Sequence, residues 1–257
     1  MGAFHDGHLD LMRQAKQDAA TVVVSLFVNP TQFSPGEDLG RYPRNEAKDF
    51  ELAESVGVDT MFAPTAETLY ANQGTTVHPS SVGLRFEGER RPGHFAGVCT
   101  IVSKLFHLVS PDIAYFGLKD LQQCSVLHRM VIDLDFGLQL RFMPTTREVD
   151  GLAMSSRNAY LSHAQRETAP ALFQELKRIG GLETHQAILN EIPMAKERLT
   201  RLGFELDYLD LIDVDRFDIV DNFAESTAIV AAAKLGNTRL IDNLLIRPPS
   251  NWDVVVQ

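Results

Sequence analysis

The segment Thr21-Val22-Val23-Val24-Ser25-Leu26-Phe27-Val28 restricts the possible folds more than any other stretch of the chain. It is β-branched and apolar without polar alternation, the pattern of a parallel strand covered on both faces. Ahead of it, Leu9, Leu11, Met12, Ala15 and Ala19 recur at helical spacing, with Asp10, Arg13, Lys16 and Gln17 between them. The same order then repeats. The spacing predicts helices over 45–56, 97–109 and 121–134, and strands over 58–63, 112–116 and 138–143. Such alternation specifies an α/β protein built on a Rossmann-like, doubly wound parallel sheet. Ligands of these sheets sit beyond the carboxyl ends of the strands, so the loops after Val28, Phe116 and Met143 are the places to look for chemistry.

Beyond about residue 163 the pattern changes. Two helical stretches, 163–179 and 184–202, precede strands over 205–213 and 227–234, and Gly236-Asn237-Thr238 makes a tight turn into a strand over 239–245. This describes a smaller α+β domain. We place the boundary near residue 160, giving domains 1–160 and 161–257.

Charge and composition narrow the partners. The chain of 257 residues carries 24 basic and 34 acidic side chains, a formal net charge of -10, which repels nucleic acid. A small anion must therefore be held by a few local cations, helix N-termini and a divalent metal. No apolar run approaches the ~20 residues that span a bilayer, and the start lacks the basic and apolar regions of a signal peptide. A cytoplasmic protein with no membrane contact is expected. Cys99 and Cys124 lie in apolar sequence and read as buried thiols rather than a disulfide or a metal site.

His5-Asp6-Gly7-His8 stands at the start of the first helical pattern, where unpaired backbone N–H groups and the positive end of the helix dipole converge. Two imidazoles and a glycine there suit a phosphate; alternatively His5 caps the helix and His8 is merely exposed. Asn29-Pro30-Thr31-Gln32 leaves the end of the first strand, where an amide can bond a hydroxyl and a carboxylate without fixed charge. Lys119-Asp120 follows the strand ending Phe116-Gly117 and brings an ammonium to the same rim. Met154-Ser155-Ser156-Arg157 carries two hydroxyls and a guanidinium, a set that suits phosphate oxygens or, alternatively, a Ser-rich interdomain turn with a solvated arginine. No Gly-x-x-x-x-Gly-Lys segment occurs, which disfavours a P-loop mechanism.

His-x-Gly-His in this position resembles the first signature of the nucleotidyltransferase superfamily, and Met1-Gly2-Ala3-Phe4-His5-Asp6-Gly7-His8 is similar to the version found in the pantothenate synthetase (pantoate–β-alanine ligase) family. The likeness continues in order through Phe27-Val28-Asn29-Pro30-Thr31-Gln32-Phe33, Arg41-Tyr42-Pro43-Arg44, Arg91-Pro92-Gly93-His94-Phe95-Ala96-Gly97-Val98, Phe116-Gly117-Leu118-Lys119-Asp120-Leu121-Gln122-Gln123, the stretch 147–158, and Leu235-Gly236-Asn237-Thr238-Arg239-Leu240-Ile241-Asp242-Asn243. The resemblance implies an AMP-forming ligase that adenylates pantoate with ATP and Mg²⁺ and passes the pantoyl group to β-alanine.

By the same resemblance, His5, His8, Lys119 and Arg157 are the catalytic groups. Met1, Gly7, Gly117, Asp120, Met154, Ser155 and Ser156 join them around ATP, while Gln32, Gln123 and Met1 hold pantoate. Asn29, Arg91 and His94 are expected to line the site, and no metal ligand can be named. Residues 161–257 would form a lid that shields the adenylate from water, and a homodimer is the usual assembly. The family has a further strand ahead of its Met-Gly, so an open gap in the parallel sheet beside the site is expected here. Two other readings share the motifs: a cytidylyl- or adenylyltransferase, and a non-catalytic remnant of the fold.

Overall fold

The computed structural model describes residues 2–34, 36–72 and 74–255. The expected alternation is present, as α1 (Asp6–Asp18), β1 (Val23–Ser25), α2 (Glu46–Ser55), β2 (Thr60–Phe62), α3 (Ala66–Tyr70), α4 (Glu87–Arg90), α5 (His94–Val109), β3 (Ile113–Gly117), α6 (Leu121–Asp133) and β4 (Gln139–Met143). There follow α7 (His163–Thr168), α8 (Ala171–Gly180), α9 (His185–Arg201), β5 (Phe204–Asp213), β6 (Asp218–Ile219), β7 (Thr227–Leu235), β8 (Thr238–Arg247) and β9 (Asp253–Val254). The helical run expected over 163–179 is interrupted at Pro170, which lacks the N–H that would continue the ladder.

Among the described residues the parallel strands fall into two separate ladders, β1-β2 and β3-β4-β9. This is the open seam expected from the resemblance. It also corrects the reading of the first strand. The strand is three residues long and pairs with β2, and its segment alternates, with Val22 and Val24 buried and Val23 38% exposed. The seam is crossed by side chains from α1: Asp18 accepts a hydrogen bond from Tyr115 Oη at 2.8 Å and pairs with Arg141 at 2.7 Å.

Three apolar clusters hold the fold. Phe4, Leu9 and Met12 pack α1 on Val22, Val24 and Ala53. Cys99, Val102, Leu127 and Phe142 form a second cluster under α5 and α6, and Leu176, Ile188 and Leu199 press α8 and α9 on the antiparallel sheet β6-β5-β7-β8. Ile212, Val214, Phe217 and Val230 of that sheet and its connection belong to the second cluster, so the two halves of the chain share one apolar core. The tail also returns, with β9 pairing parallel to β4. Gly236-Asn237 joins β7 to β8 as expected, and Gly236 takes φ +60°, which a two-residue hairpin turn demands at that position. Both cysteines are free and buried; burial pushes the Cys99 thiol up to about 12. Among the described residues no helix is long and apolar enough to cross a membrane.

Candidate active site

The amino-terminal segment is tied down before the first helix begins. Asp49, only 2% exposed on α2, accepts the backbone N–H of Ala3 at 2.8 Å and of Phe4 at 2.7 Å. Nothing in the sequence marked Asp49, because an acidic residue in an amphipathic run reads as solvated. His5 is the N-cap of α1, and its backbone N–H donates to His8 Nδ1 at 3.3 Å. The capping and phosphate readings of this motif are thus compatible. With Nδ1 accepting, a neutral His8 carries its proton on Nε2 and is a donor there.

Burial lowers the pKa of His8 well below its usual value, assisted by His5 and the charge of Lys119; burial and Lys119 lower His5 as well. Both imidazoles are therefore neutral near pH 7, and their rings lie 4.0 Å apart. Among the described residues the buried Nδ1 of His5 has no hydrogen-bond partner. A Cβ on Gly7 would come within 3.1 Å of the His5 ring, so a side chain at this turn would press on that imidazole.

Lys119 and Asp120 sit in a 3₁₀ turn between the carboxyl end of β3 and α6. Lys119 Nζ lies 3.7 Å from Asp120 Oδ1, and the field of Asp120 also reaches His5 and Arg157. Gly117 has an ordinary φ of −86° and open space around its Cα; the structure offers no local reason for a glycine there.

Gln32 ends a 3₁₀ turn, Pro30–Gln32, capped by Asn29. Asn29 is 2% exposed and fully committed: it donates to Gly97 O and Gln32 Oε1 and accepts from Thr31 and Tyr70. It holds the turn. His94, at the start of α5, donates from Nδ1 to the Gln32 carbonyl at 2.7 Å and accepts from Arg91 at 3.1 Å on Nε2. Burial and the adjacent Arg91 lower its pKa to about 4. Arg91 in turn grips Glu37 with two hydrogen bonds of 2.8 and 2.9 Å. Arg91 and His94 therefore brace the loop carrying Gln32.

A cavity of about 40 Å³ opens between these elements, lined by Arg91, His94, Lys119 and Gln123 among others. The glutamine pair of α6 divides its tasks. Gln122 is buried and saturated by Glu87 N, Val82 O and Arg85 O, whereas Gln123 faces the cavity.

The loop after β4 folds back as a hairpin, bridged between Arg147 and Ala153, and Met154 N bonds Thr146 O. Thr146 fastens it to α1 through Asp10 at 2.9 Å. Ser155 caps the 3₁₀ turn Ser156–Tyr160 by accepting from Arg157 N. Arg157 is not free. Its Nε and Nη2 both reach Asp38 at 2.9 Å, and its guanidinium lies over the Tyr42 ring. Tyr42 Oη accepts from Ser156, and Tyr160 donates to Arg41 O. Burial raises the pKa of Asp38 but the bonds and charge of Arg157 outweigh it, leaving the carboxyl below its usual value. Asp38 and Tyr42 were missed as individual residues in the sequence, although Tyr42 lies in the Arg41-Tyr42-Pro43-Arg44 segment.

Among the expected residues, Lys119 acts electrostatically on both imidazoles and lines the cavity with Arg91, His94 and Gln123, Asp120 acts on His5 and Arg157, and His94 holds the Gln32 turn; Met1 lies outside the described residues. Among the described residues no group of three His, Cys, Asp or Glu could hold a metal ion.

A family model described as Pantoate-beta-alanine ligase matches residues 1–245. The chain belongs to this family. It is 47% identical over 247 residues to the pantothenate synthetase of Sphingopyxis alaskensis, covering 95% of this chain and 88% of that protein. Identity to the pantothenate synthetase of Rhizorhabdus wittichii is 44% over 251 residues, covering 96% and 89%. The fold superposes on the crystal structure of pantothenate synthetase from Thermus thermophilus with a TM-score of 0.92 at 41% identity, covering 96% of this chain and 91% of that one. For the Francisella tularensis pantoate–β-alanine ligase, crystallised with a β,γ-ATP compound and β-alanine, the TM-score is 0.81 at 31% identity, covering 96% and 87%. The α/β core with its carboxyl-terminal antiparallel sheet is shared with these ligases.

Proposed function

We propose that this chain joins pantoate to β-alanine at the expense of ATP, through a pantoyl-adenylate intermediate, releasing pyrophosphate and AMP. The observation that carries the reading is the convergence of Lys119 with both imidazoles on one side and with the Gln123 cavity on the other, in a chain of this ligase family.

In the first step a pantoate carboxylate oxygen attacks the α-phosphorus of ATP in line with the departing pyrophosphate. That attack requires no proton to be removed. The site instead has to accommodate negative charge growing on phosphoryl oxygens, and fixed donors in a partly dry cleft do this best. His8 Nε2–H, Lys119 and Arg157 are assigned that task, with His5, Gly7, Gly117, Asp120, Met154, Ser155 and Ser156 holding the nucleotide. For Arg157 to reach a phosphate its bonds to Asp38 must at least partly exchange for phosphate oxygens, which a guanidinium also binds in bidentate fashion. Gln32 from its 3₁₀ turn and Gln123 from the first turn of α6 grip pantoate, which keeps nucleophile and phosphorus in attacking range. In the second step the amine of β-alanine adds to the acyl carbon, loses a proton, and expels AMP.

Mg²⁺ would arrive with the nucleotide, would neutralise phosphate charge, and would need only one or two carboxylates from the protein. Asp120, half exposed in the turn after β3 that carries Lys119, would supply one. Residues 161–257 would shield the mixed anhydride from water.

The test is His8→Ala in pantoate-dependent ATP–pyrophosphate exchange. The rate should drop by about two orders of magnitude or more, and a near-normal rate would reject the assignment. Wild-type protein should release AMP only when both pantoate and β-alanine are supplied.

A further inference from the structure

Asp242 and Asn243 are successive residues of β8, 5% and 7% exposed, and the chemistry above assigns them nothing. Both line the cavity shared with Lys119 and Gln123. The Asn243 amide is fully used as a donor: Nδ2 gives 2.8 Å to the carbonyl of Leu118 and 3.1 Å to that of Lys119. Asp242 faces the other loop. Its Oδ2 and Oδ1 accept from Arg147 Nη1 and Nη2 at 2.7 and 2.8 Å, and Oδ1 also accepts the Asn243 backbone N–H at 2.8 Å. Arg147 passes the contact on to the hairpin by donating to Gly151 O at 3.1 Å, with its guanidinium 3.2 Å from the centroid of the Phe173 ring.

We propose that Asn243 is the positioning residue for the Lys119 turn and Asp242 for the 147–157 hairpin, so that β8 sets the separation of the two loops carrying phosphate-binding cations. The residue types fit the tasks. Two carbonyls need two N–H donors, which a primary amide supplies and a carboxylate of the same shape does not. A guanidinium held on two parallel bonds needs a carboxylate, and an amide would turn one donor against another. The strand itself is paired with β7 from Thr238 to Arg247, so it is a stiff spacer rather than a loop. The Asn243 amide donors and both Asp242 carboxylate oxygens are taken up by these loops. Their effect passes through Lys119 and through Arg147 to Arg157, and in this respect the inference rests on the function proposed above.

Hydrogen exchange on the ligand-free protein tests the mechanical half without any substrate. Asn243→Ala should raise exchange in residues 117–123 by about tenfold or more, and Asp242→Asn in residues 145–157, while the β7-β8 ladder stays protected. Unchanged exchange in the loop that each residue holds would overturn the proposal. Kinetics test the functional half. Displacing a catalytic group by about 1 Å costs about a hundredfold in rate, so Asn243→Ala should lower kcat of ATP–pyrophosphate exchange by about that factor with the pantoate KM within about threefold. A kcat within about threefold of wild type, or a change confined to KM, would also overturn it. Asn243→Ser keeps one donor and should fall between; it carries both tests if the alanine variant does not fold. Wild-type protein without exchange activity would defeat the proposed function, whereas loosened exchange would still uphold the mechanical role.

Discussion

His94 shows how a single residue couples the site to stability. Burial, reinforced by Arg91, holds its pKa at about 4, whereas in the unfolded chain it titrates near its ordinary 6.5. Between those values the unfolded chain binds a proton that the folded protein refuses. Stability is therefore complete above pH 6.5 and falls on acidification toward pH 4, by roughly 3 kcal/mol for this residue alone. His5 and His8 act in the same direction. Urea denaturation at about pH 7.5 and about pH 5.0 isolates the effect, because the lower value is still above the usual carboxylate range. Wild type should lose about 2 kcal/mol more between these pH values than His94→Gln; equal losses would mean that His94 is charged in the folded protein.

At the scale of elements, the approach of α5 to the Pro30–Gln32 turn decides where the proposed pantoate amide stands. Gly97 makes it possible, since a Cβ there would collide with the carbonyl of Thr31 and lie 2.8 Å from Gln32 N. The same glycine offers its own carbonyl to Asn29. In an exposed helix Gly→Ala is stabilising by about 1 kcal/mol. Here the colliding atoms are backbone and cannot rotate away, so Gly97→Ala should destabilise by about 1–3 kcal/mol and raise the pantoate KM. A thermal melt with saturation kinetics checks both, and an increased melting temperature would show that the contact is loose.

Across the whole molecule, a buried ionic cluster joins α4 to the antiparallel sheet. Glu87, with its side chain 8% exposed, receives Arg239 Nη1 at 2.8 Å and Arg239 Nη2 at 2.6 Å, and Tyr208 Oη at 2.7 Å, while Arg239 Nε reaches Asp207 at 2.7 Å. Burial raises the pKa of Glu87, yet Arg239 overcomes it and keeps the carboxylate charged. Removing one member leaves the others desolvated without a partner, so Glu87→Ala should destabilise by about 3 kcal/mol or more. The Arg201–Glu197 pair, 75% and 70% exposed, provides the control, and Arg201→Ala should cost under about 0.5 kcal/mol. Similar shifts of the urea midpoint in the two variants would rule out the cluster as a fastening between the halves. With Ile212, Phe217 and Val230 in the shared core, unfolding should be a single transition by near- and far-ultraviolet circular dichroism.

The alternation of periods, the helix-start motif His5-Asp6-Gly7-His8 and the cation-bearing loops at Lys119 and Arg157 were legible from residue order, because helical and strand spacing and loop chemistry are local properties. Family likeness then named the glutamines Gln32 and Gln123. What could not be read locally is which groups meet. The Asp49 carboxylate on the Ala3 and Phe4 amides, Asp38 on Arg157, and Asn243 on the Lys119 turn join residues far apart in the chain. An acidic or amide side chain carries the same sequence signal whether it is solvated or buried against a partner. Only the packed structure removes it from water and makes the partner obligatory.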